Sequence, residues 1–332
     1  MDDLQPEMGH GLVAVVIPSY RVKRQILEVI STVPEFVGLI LVVDDACPEG
    51  SGAHVQAECL DPRVRVLFHA ENRGVGGAVV SGYRAALASG ASIVVKMDGD
   101  GQMHPSELPA LLEPLRRGEA DYTKGNRFFD MTVVERMPRR RLLGNAALSF
   151  MTKVSSGYWS LFDPTNGYTA IHAVALSRLP LARISTRYFF ETDMLFRLRT
   201  IGAVVEDVPM DARYGDEESN LRIFRILGPF LAGHARNFAK RIVYNYFLRD
   251  FSVASLQLVA GTALLGLGTL HGGYHWWRSV QTGLPTTTGT VMIAALALLA
   301  GLQLLLAFLA YDMATTPRRP LQRAAHLLTP SR

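Results

Sequence analysis

The sequence predicts an α/β fold, a mostly parallel sheet with helices on both faces, followed by amphipathic helices and a hairpin of two transmembrane helices. Three observations predict it. Short apolar runs alternate with segments of helical spacing, a stretch of interleaved basic and apolar residues follows, and two uncharged apolar runs come after that stretch. Strands that alternate with helices are typical of a parallel sheet covered on both faces.

Four short runs rich in Val and Ile are predicted strands, because each is apolar throughout and stops at turn-forming residues. They are Leu12–Ile17, Leu39–Val43, Val64–Phe68 and Ile93–Met97. The segments between them have the apolar spacing of helices, over Val22–Ile30, Ser51–Leu60 and Gly77–Ala88. In such sheets ligands bind beyond the carboxyl ends of the strands, so the candidate site residues are those at which strands stop.

Residues 221–251 alternate basic with apolar side chains, as in RIFRILGPF and FAKRIVYNYFLRDF. This composition predicts an amphipathic helix, or two helices broken at Gly228-Pro229, lying among lipid headgroups. An ordinary helix that packs on a core is the alternative.

The runs Ser252–Leu270 and Gly289–Tyr311 contain no Asp, Glu, Lys or Arg. At about 1.5 Å per residue each can cross a hydrocarbon layer of about 30 Å, and a buried core helix is the alternative. Lys and Arg cluster before the first run and after the second, whereas the connector from His271 to Thr288 carries only Arg278. Segments rich in Lys and Arg next to a membrane helix usually stay in the cytosol, so both termini are predicted to be cytosolic. The hairpin is predicted to lie in a bacterial inner membrane or its equivalent.

The N-terminal residues, the two cysteines and the net charge restrict the possible location and partners of the protein. The first residues, MDDLQPEMGHG, are acidic and polar and do not resemble a signal peptide. Cys47 and Cys59 fall in the predicted cytosolic part, so a disulfide is not expected. The net charge of +4 concentrates around the membrane segments. It therefore favours membrane lipids as partners and not nucleic acid.

Paired aspartates follow the second predicted strand in LILVVDDACPEGSG, where Asp44 and Asp45 precede small turn-forming residues. Carboxylates at this position can accept hydrogen bonds from a ribose or a base. An Asp at a strand end also serves as a helix cap, which is the structural alternative.

The fourth strand ends in SIVVKMDGDGQMHP, which places Asp98, Asp100 and Gln102 on a tight glycine-containing turn. Alternating oxygen ligands of this kind suit Mg²⁺ or Mn²⁺, which prefer carboxylates, carbonyls and diphosphate oxygens. A polar turn that happens to contain two aspartates is the alternative. The glycine-rich HAENRGVGG turn after the third strand matches neither GxGxxG nor the Walker loop, so a structural and substrate-shaping role is favoured there.

The order of the motifs that follow the strands resembles that of a known enzyme family. PSY, DDACPEGS, NRGVGGA and DGDGQMHP, each after a successive strand, resemble the family 2 glycosyltransferases of GT-A fold, and in particular the polyprenyl-phosphate branch typified by dolichol-phosphate mannose synthase. GNRFF, DPTNGY and PMDARYGDEESNL continue it, so that it covers about residues 10 to 225. It implies a Rossmann-like GT-A domain that transfers a sugar with inversion from a UDP- or GDP-sugar to a polyprenyl phosphate.

The resemblance also implies a role for each matched residue. The divalent metal, Mg²⁺ or Mn²⁺, would be held by Asp98, Asp100 and Gln102. The positions that match basic catalytic residues near the donor and the acceptor phosphate are Arg127 and Arg141. The remaining donor-binding positions are Pro18, Tyr20, Asp44, Asp45, Gly76, Asp98 and Glu191.

Two departures from the branch leave the acceptor open. Ser219-Asn220 replaces the usual Ser-Lys pair, and YFFETDML contains Glu191 and Asp193 where the branch more often has one acid. If Asp193 is a general base, the acceptor is a hydroxyl of a lipid-linked glycan, because a hydroxyl must lose a proton whereas a phosphate is already ionised. A catalytically silent membrane scaffold that binds sugar nucleotides is the third alternative.

The predicted organisation is a GT-A catalytic domain over residues 1–220, amphipathic helices over 221–251, the transmembrane hairpin over 252–311 and a cytosolic tail over 312–332. Gly261, Gly266 and Gly268 in the first membrane run would permit close helix contacts. They leave room for a homo-oligomer as a further partner.

Overall fold

The computed structural model describes residues 11–129, 139–163, 166–210 and 223–326. The chain divides into two compact units. The first comprises residues 1–238 together with residues 317–332, and the second comprises residues 239–316.

A seven-stranded sheet runs through the described part of the first unit, in the order β3-β2-β1-β4-β6-β5-β7. The strands are β1 Val13–Ser19, β2 Leu39–Asp44, β3 Val64–Phe68, β4 Ile93–Lys96, β5 Tyr122–Asn126, β6 Thr169–His172 and β7 Val205–Pro209. Neighbouring strands are parallel except where β6 pairs antiparallel with β4 and β5. The prediction of a mostly parallel sheet is confirmed, and all four predicted strands are present.

Helices connect and cover the strands. Those before the membrane segments are α1 Ile26–Ser31, α2 Ser51–Glu58, α3 Val75–Ala88, α4 Leu108–Arg116, α5 Arg139–Ser156, α6 Ala173–Arg178, α7 Phe190–Ile201 and α8 Ile223–Val243. Short 3₁₀ turns lie at Pro105–Glu107 and Leu181–Arg183. The helices α1, α2 and α3 are the three that the spacing predicts.

Both faces of the sheet are buried. Along β1, Ala14 and Val16 belong to one core cluster, whereas Val13, Val15 and Ile17 belong to the cluster on the opposite face. Successive side chains of a strand point to opposite faces, so an apolar run without alternation is the pattern that a doubly covered strand requires. This explains why the strands are visible in the sequence as continuous Val and Ile runs.

The glycines of NRGVGG and the helix that follows allow close packing. A Cβ at Gly82 would overlap the side chain of Val16, so α3 can lie on the sheet only with glycine there. A Cβ at Gly76 would overlap the backbone oxygen of Ser185 and lie 2.8 Å from a ring carbon of Phe190. These contacts support the structural role that is predicted for the glycine-rich turn.

The basic and apolar stretch forms one helix, α8, and the alternative of a break at Gly228-Pro229 is not adopted. Pro229 lies inside α8, where its missing N–H removes one intrahelical hydrogen bond without ending the helix. The α-helical geometry ends at Val243, and residues Tyr244–Arg249 continue as a π-helix.

The second unit contains two helices that are long and apolar enough to cross a membrane, α9 Val253–Thr282 and α10 Thr288–Ala314. Only 22% and 17% of their most apolar windows are buried, which argues against a pair of soluble core helices. The helix α9 continues beyond the predicted span Ser252–Leu270, to Thr282, and stops where Gly283 adopts a φ of 67°; the bounds of the membrane span itself stay a prediction. The true connector is correspondingly short.

Glycines bring α9 and α10 together. Cβ atoms at Gly261 and Gly301 would each lie about 3 Å from backbone atoms of the other helix. A Cβ at Gly268 would lie 3.0 Å from the backbone nitrogen of Leu298, whereas Gly266 faces open space. Two of the three glycines expected to support an oligomer are therefore used within the hairpin.

A buried ion pair fastens α8 to the end of α10 within the second unit. The Arg241 Nη1 lies 2.5 Å from Asp312 Oδ1, and the Tyr246 hydroxyl donates to the same oxygen at 2.6 Å. All three side chains are almost fully buried. Removing one partner of such a pair leaves an uncompensated buried charge, which typically costs about 3–5 kcal/mol.

After the hairpin, the chain rejoins the first unit through α11 Leu321–His326. The backbone N–H groups of Leu321 and Gln322 donate to the buried carboxylate of Asp121, at 2.9 and 3.2 Å. The Gln322 amide donates to the carbonyls of Leu115 and Ala120 at 3.0 and 2.6 Å. Both flanks of the hairpin are thus part of the same compact unit.

We expect Gln322→Ala to loosen this attachment, because the variant leaves the carbonyls of Leu115 and Ala120 without their side-chain donor. A buried group left unpaired costs about 1–3 kcal/mol. Hydrogen–deuterium exchange of residues 317–326 in the full chain should become faster by at least roughly tenfold. The matched control is Arg319→Ala, an exposed position in the same segment. Equal exchange in the two variants would contradict the prediction.

Candidate active site

A pocket lies at the carboxyl end of β4. It brings together four predicted site residues, namely the proposed metal ligands Asp98, Asp100 and Gln102, and Arg127. The rest of its wall comes from Met103, His104, Glu107, Asn166, Gly167, Tyr168 and Met210. The fold therefore assembles DGDGQ, GNR and DPTNGY, which are far apart in the sequence, around one cavity.

The turn after β4 presents its acids through local hydrogen bonds. Asp100 Oδ1 accepts from the backbone N–H of Gln102 at 3.0 Å, which bends the chain around Gly101 at a φ of 80°. The Asp98 N–H is directed at the sulfur of Met103 at 3.2 Å. These contacts shape a short, tight turn whose residues Asp98 and Asp100 both line the pocket.

The donor set fits a hard divalent cation. Among the described residues, no three His, Cys, Asp or Glu side chains are grouped so as to hold a metal by themselves. Mg²⁺ and similar ions are commonly bound by one or two carboxylates, with substrate phosphates and water completing the oxygen shell. Asp98 and Asp100 supply two such carboxylates on one pocket wall. The residues present therefore fit a metal that arrives with a diphosphate.

Arg127 is held in the pocket wall by Asp163. The Arg127 Nε donates to Asp163 Oδ2 at 2.8 Å and its Nη2 donates to Asp163 Oδ1 at 3.2 Å. Burial alone would raise the pKa of Asp163, but the hydrogen bonds from Arg127 and the charge of Lys124 lower it overall. Asn166 adds a hydrogen bond to the carbonyl of Gly125 at 2.8 Å. These contacts join the GNR and DPTNGY motifs.

The first of the paired aspartates shapes its own turn. Asp44 is buried, and its two oxygens accept from the backbone N–H groups of Cys47 at 2.7 Å and Gly52 at 2.6 Å. A Cβ at Gly52 would collide with this carboxylate, so glycine is required there. The structure shows Asp44 as the residue that closes the DDACPEGSG turn, and its contact with a nucleoside stays a prediction.

The second aspartate links three segments. The oxygens of Asp45 accept from the backbone N–H groups of Arg73 and Gly74 at 2.8 and 2.7 Å, and one of them lies 2.7 Å from His69 Nδ1. Its carboxylate is buried. Asp45 therefore fixes the start of the glycine-rich turn, and direct binding of the donor by this residue also stays a prediction.

Asp193 does not have the surroundings of a general base. Its carboxylate is buried and accepts from Arg197 Nε at 2.9 Å, the Ser185 N–H at 2.9 Å and Asn237 Nδ2 at 3.0 Å. Both oxygens are occupied, and the residue is not part of the pocket wall. Asp193 thereby ties α7 to α8 and to the preceding loop, an arrangement that disfavours a general base, and its role in the reaction stays a prediction.

The other predicted positions are distributed around this edge of the sheet. Tyr20 follows β1 directly and is exposed, whereas Pro18 lies within β1 opposite Val43. Gly76 packs against Ser185 and Phe190 as described, away from the pocket wall. Arg141 lies in α5, but its side chain is outside the described residues, as are Ser219 and Asn220.

Glu191 is connected to the pocket through a residue that sequence reasoning missed. Lys96 Nζ lies 2.9 Å from Asp98 Oδ1 and 3.4 Å from Glu191 Oε1. Asn166, Tyr168 and His104 were missed as wall residues as well. The sequence could have indicated these three residues, because they lie within or beside the DPTNGY and DGDGQMHP motifs. Lys96 lies in an otherwise apolar strand, and no motif marks it as a site residue.

Comparisons with known proteins agree with this geometry. Residues 14–179 match the family model described as Glycosyl transferase family 2. Undecaprenyl-phosphate mannosyltransferase of Micrococcus luteus is 36% identical over 173 residues, covering 52% of this chain and 70% of that protein. Polyprenol monophosphomannose synthase of Mycolicibacterium smegmatis is 32% identical over 201 residues, covering 59% of this chain and 75% of that protein.

Among solved structures, glucosyl-3-phosphoglycerate synthase from Mycobacterium tuberculosis with UDP bound superposes with a TM-score of 0.52 at 20% identity. The match covers 69% of this chain and 80% of that one, and it shows the shared GT-A fold. The chain belongs to glycosyl transferase family 2 and is a glycosyltransferase. Its two apolar helices and these relatives point to a membrane protein.

We expect Asp193→Asn to retain glycosyl transfer within about tenfold of the parent, because the carboxylate supports packing and not proton transfer. Loss of a true general base typically costs about 10² to 10⁴ in rate. The measurement is turnover together with the melting temperature, which should fall because the partly buried Arg197 loses its ionic partner. A hundredfold loss of turnover with unchanged melting would contradict the prediction.

A partly buried acid, Asp207, provides a test by pH. Asp207 on β7 accepts from the Phe162 N–H at 2.7 Å through Oδ2, while its buried Oδ1 has no hydrogen-bond partner among the described residues. Burial raises the pKa of Asp207 to about 6. The folded protein therefore retains a proton that the unfolded chain releases, so ionisation of Asp207 opposes folding above about pH 6.

Asp207→Asn should remove the destabilisation that ionisation of Asp207 causes above about pH 6. The gain in melting temperature over the parent should be largest near about pH 8 and should shrink as the pH falls toward about 4, below which Asp207 is protonated in both the folded and the unfolded state. The control is Glu58→Gln, an exposed carboxylate on α2. A stability difference that is the same at every pH would contradict the assignment.

Proposed function

We propose that this membrane glycosyltransferase transfers a hexosyl group, with inversion, from a UDP- or GDP-sugar to a polyprenyl phosphate at the cytosolic face of the membrane. The observation that carries the proposal is the pocket, which Asp98, Asp100 and Gln102 line together with Arg127. It combines a place for a metal-bound diphosphate with a cation suited to a phosphate acceptor.

The chemistry needs few groups from the protein. A phosphate oxygen of the acceptor attacks the anomeric carbon, and the bond from that carbon to the diphosphate oxygen breaks with its electron pair leaving on the nucleoside diphosphate. A divalent cation, when bound, would neutralise the charge that develops on the leaving group. Asp98 and Asp100 would hold it, and Gln102 would add an amide oxygen.

The acceptor is proposed to be a phosphate because no proton has to be removed from it. Arg127, fixed by Asp163, contributes positive charge where the acceptor phosphate would approach. The burial of Asp193 in its ion pair disfavours the alternative in which that residue activates a hydroxyl. The printed names of the two bacterial relatives, an undecaprenyl-phosphate and a polyprenol-phosphate enzyme, support the same acceptor.

The cytosolic orientation is supported by topology. Residues 1–238 and 317–332 belong to one compact unit, so a hairpin that crosses the membrane twice would begin and end on the same side. Lys and Arg flank both ends of the hairpin. This distribution favours the cytosolic side for the catalytic unit.

The direct test is transfer by the full chain reconstituted in membranes. We expect a single sugar to be added to undecaprenyl phosphate from one of a panel of UDP- and GDP-sugars, with Mg²⁺ or Mn²⁺ present and the lipid product identified by mass. GDP-mannose is the first donor to try, given the mannosyl relatives. Asp100→Asn should lower turnover by roughly 10² to 10³. Asp61→Asn, an acid paired with Arg63 outside the pocket, is the matched control.

Other results would overturn the proposal. Product found only on a lipid-linked glycan would identify a hydroxyl acceptor. Binding of sugar nucleotides without hydrolysis or transfer under all these conditions would favour the silent scaffold.

A further inference from the structure

Lys96 is a buried cation beneath the acidic turn. It is the last residue of β4, two positions before Asp98, and its side chain is 1% exposed. Its Nζ lies 2.9 Å from Asp98 Oδ1 and 3.4 Å from Glu191 Oε1. A Cβ at Gly167 would overlap Nζ, so the glycine of DPTNGY leaves the space that the ammonium occupies.

The position calls for an explanation because a charged side chain is costly there. The residues before it in β4, Val94 and Val95, are fully buried and apolar. Apolar residues of similar volume commonly replace buried ion pairs without loss of stability. Asp98 and Glu191 supply the opposite charges that a buried ammonium group requires, at 2.9 and 3.4 Å.

The partners of Lys96 point toward the donor. Asp98 lines the pocket, and its Oδ2 lies on the side of Gly167, which also lines the pocket. Lys96 engages the other oxygen, Oδ1. The lysine thus connects the proposed metal ligand on the β4 turn with Glu191 at the start of α7, a residue proposed to bind the donor.

We propose that Lys96 is a positioning residue that sets both the geometry and the charge of the donor-metal site. It holds Asp98 Oδ1, so that Oδ2 is left for the cation, and it keeps Glu191 beside Asp98 where two carboxylates alone would repel. Asp98, Asp100, Glu191 and Lys96 together carry a formal charge of two negatives, which one divalent cation neutralises. The inference rests on the proposed function, because it presupposes a metal-bound diphosphate donor.

Removing the charge of Lys96 should change metal binding in a direction that loss of a purely structural lysine would not. With Lys96→Met, the acids lose their internal cation, so Mn²⁺ should bind at least roughly tenfold more tightly. The sugar should transfer more slowly, because Asp98 and Glu191 are no longer held in place. Glu191→Gln should weaken Mn²⁺ binding, and Lys96→Met/Glu191→Gln should return it close to that of the parent.

The experiment is a titration of the full chain in detergent with Mn²⁺, at fixed UDP or GDP, following free Mn²⁺ by electron paramagnetic resonance. Unchanged or weaker Mn²⁺ binding in folded Lys96→Met overturns the inference. If that variant does not fold, the double variant is compared with Glu191→Gln. Tighter Mn²⁺ binding in the double variant then supports the inference, and equal binding overturns it.

The outcomes separate the two proposals. The predicted order of Mn²⁺ affinities without any glycolipid product would overturn the proposed function and leave the role of Lys96 standing. Glycolipid formation with equal Mn²⁺ affinities in all variants would overturn the role of Lys96 alone. A parent protein that binds no Mn²⁺ with either nucleotide would overturn this inference together with the metal dependence of the proposed reaction.

Discussion

Buried carboxylates that accept hydrogen bonds hold the loops of the first unit, and the pocket depends on them. An ionised carboxylate can be buried only where donors replace its lost water, so each one specifies the conformation of the chain around it. Asp44 closes one turn, Asp45 fixes the glycine-rich turn, and Asp121 receives the N–H groups of the returning C-terminal helix. The binding edge of the sheet is assembled from loops that are held in this way.

The same chemistry separates two kinds of acid at this edge. Asp163 and Asp193 are buried and satisfied by arginines and neighbouring donors, so they position other groups. Asp98 and Asp100 stand on a turn that faces the pocket. Lys96 lies between the two kinds, because it is as buried as a core residue and yet contacts an acid of the pocket wall. Lys96 therefore links the residues that line the pocket to the buried residues that support them.

The hairpin obeys a different constraint. A lipid-facing helix satisfies its backbone internally and exposes apolar side chains, as α9 and α10 do over most of their surface. Within the second unit, the charged residues Arg241 and Asp312 are buried and paired with each other. The return of the chain to the first unit links the membrane segment to the catalytic fold at both ends.

The sequence by itself determined the sheet, the apolar hairpin and the acidic turn, because each depends on local composition. Strands buried on both faces need continuous Val and Ile runs, and the carboxyl ends of parallel strands meet at one edge. The end of α9 at Thr282 does not follow from the uncharged run, because the absence of charge does not mark where a helix stops.

Only the tertiary structure decided what each acid does, because partners distant in the chain set the environment of a carboxylate. Asp193 meets Asn237, and Lys96 meets Glu191, through contacts that the spacing within any motif does not specify. Asp44, Asp98 and Asp193 are alike in the sequence. They differ in their surroundings because folding gives each a different set of donors.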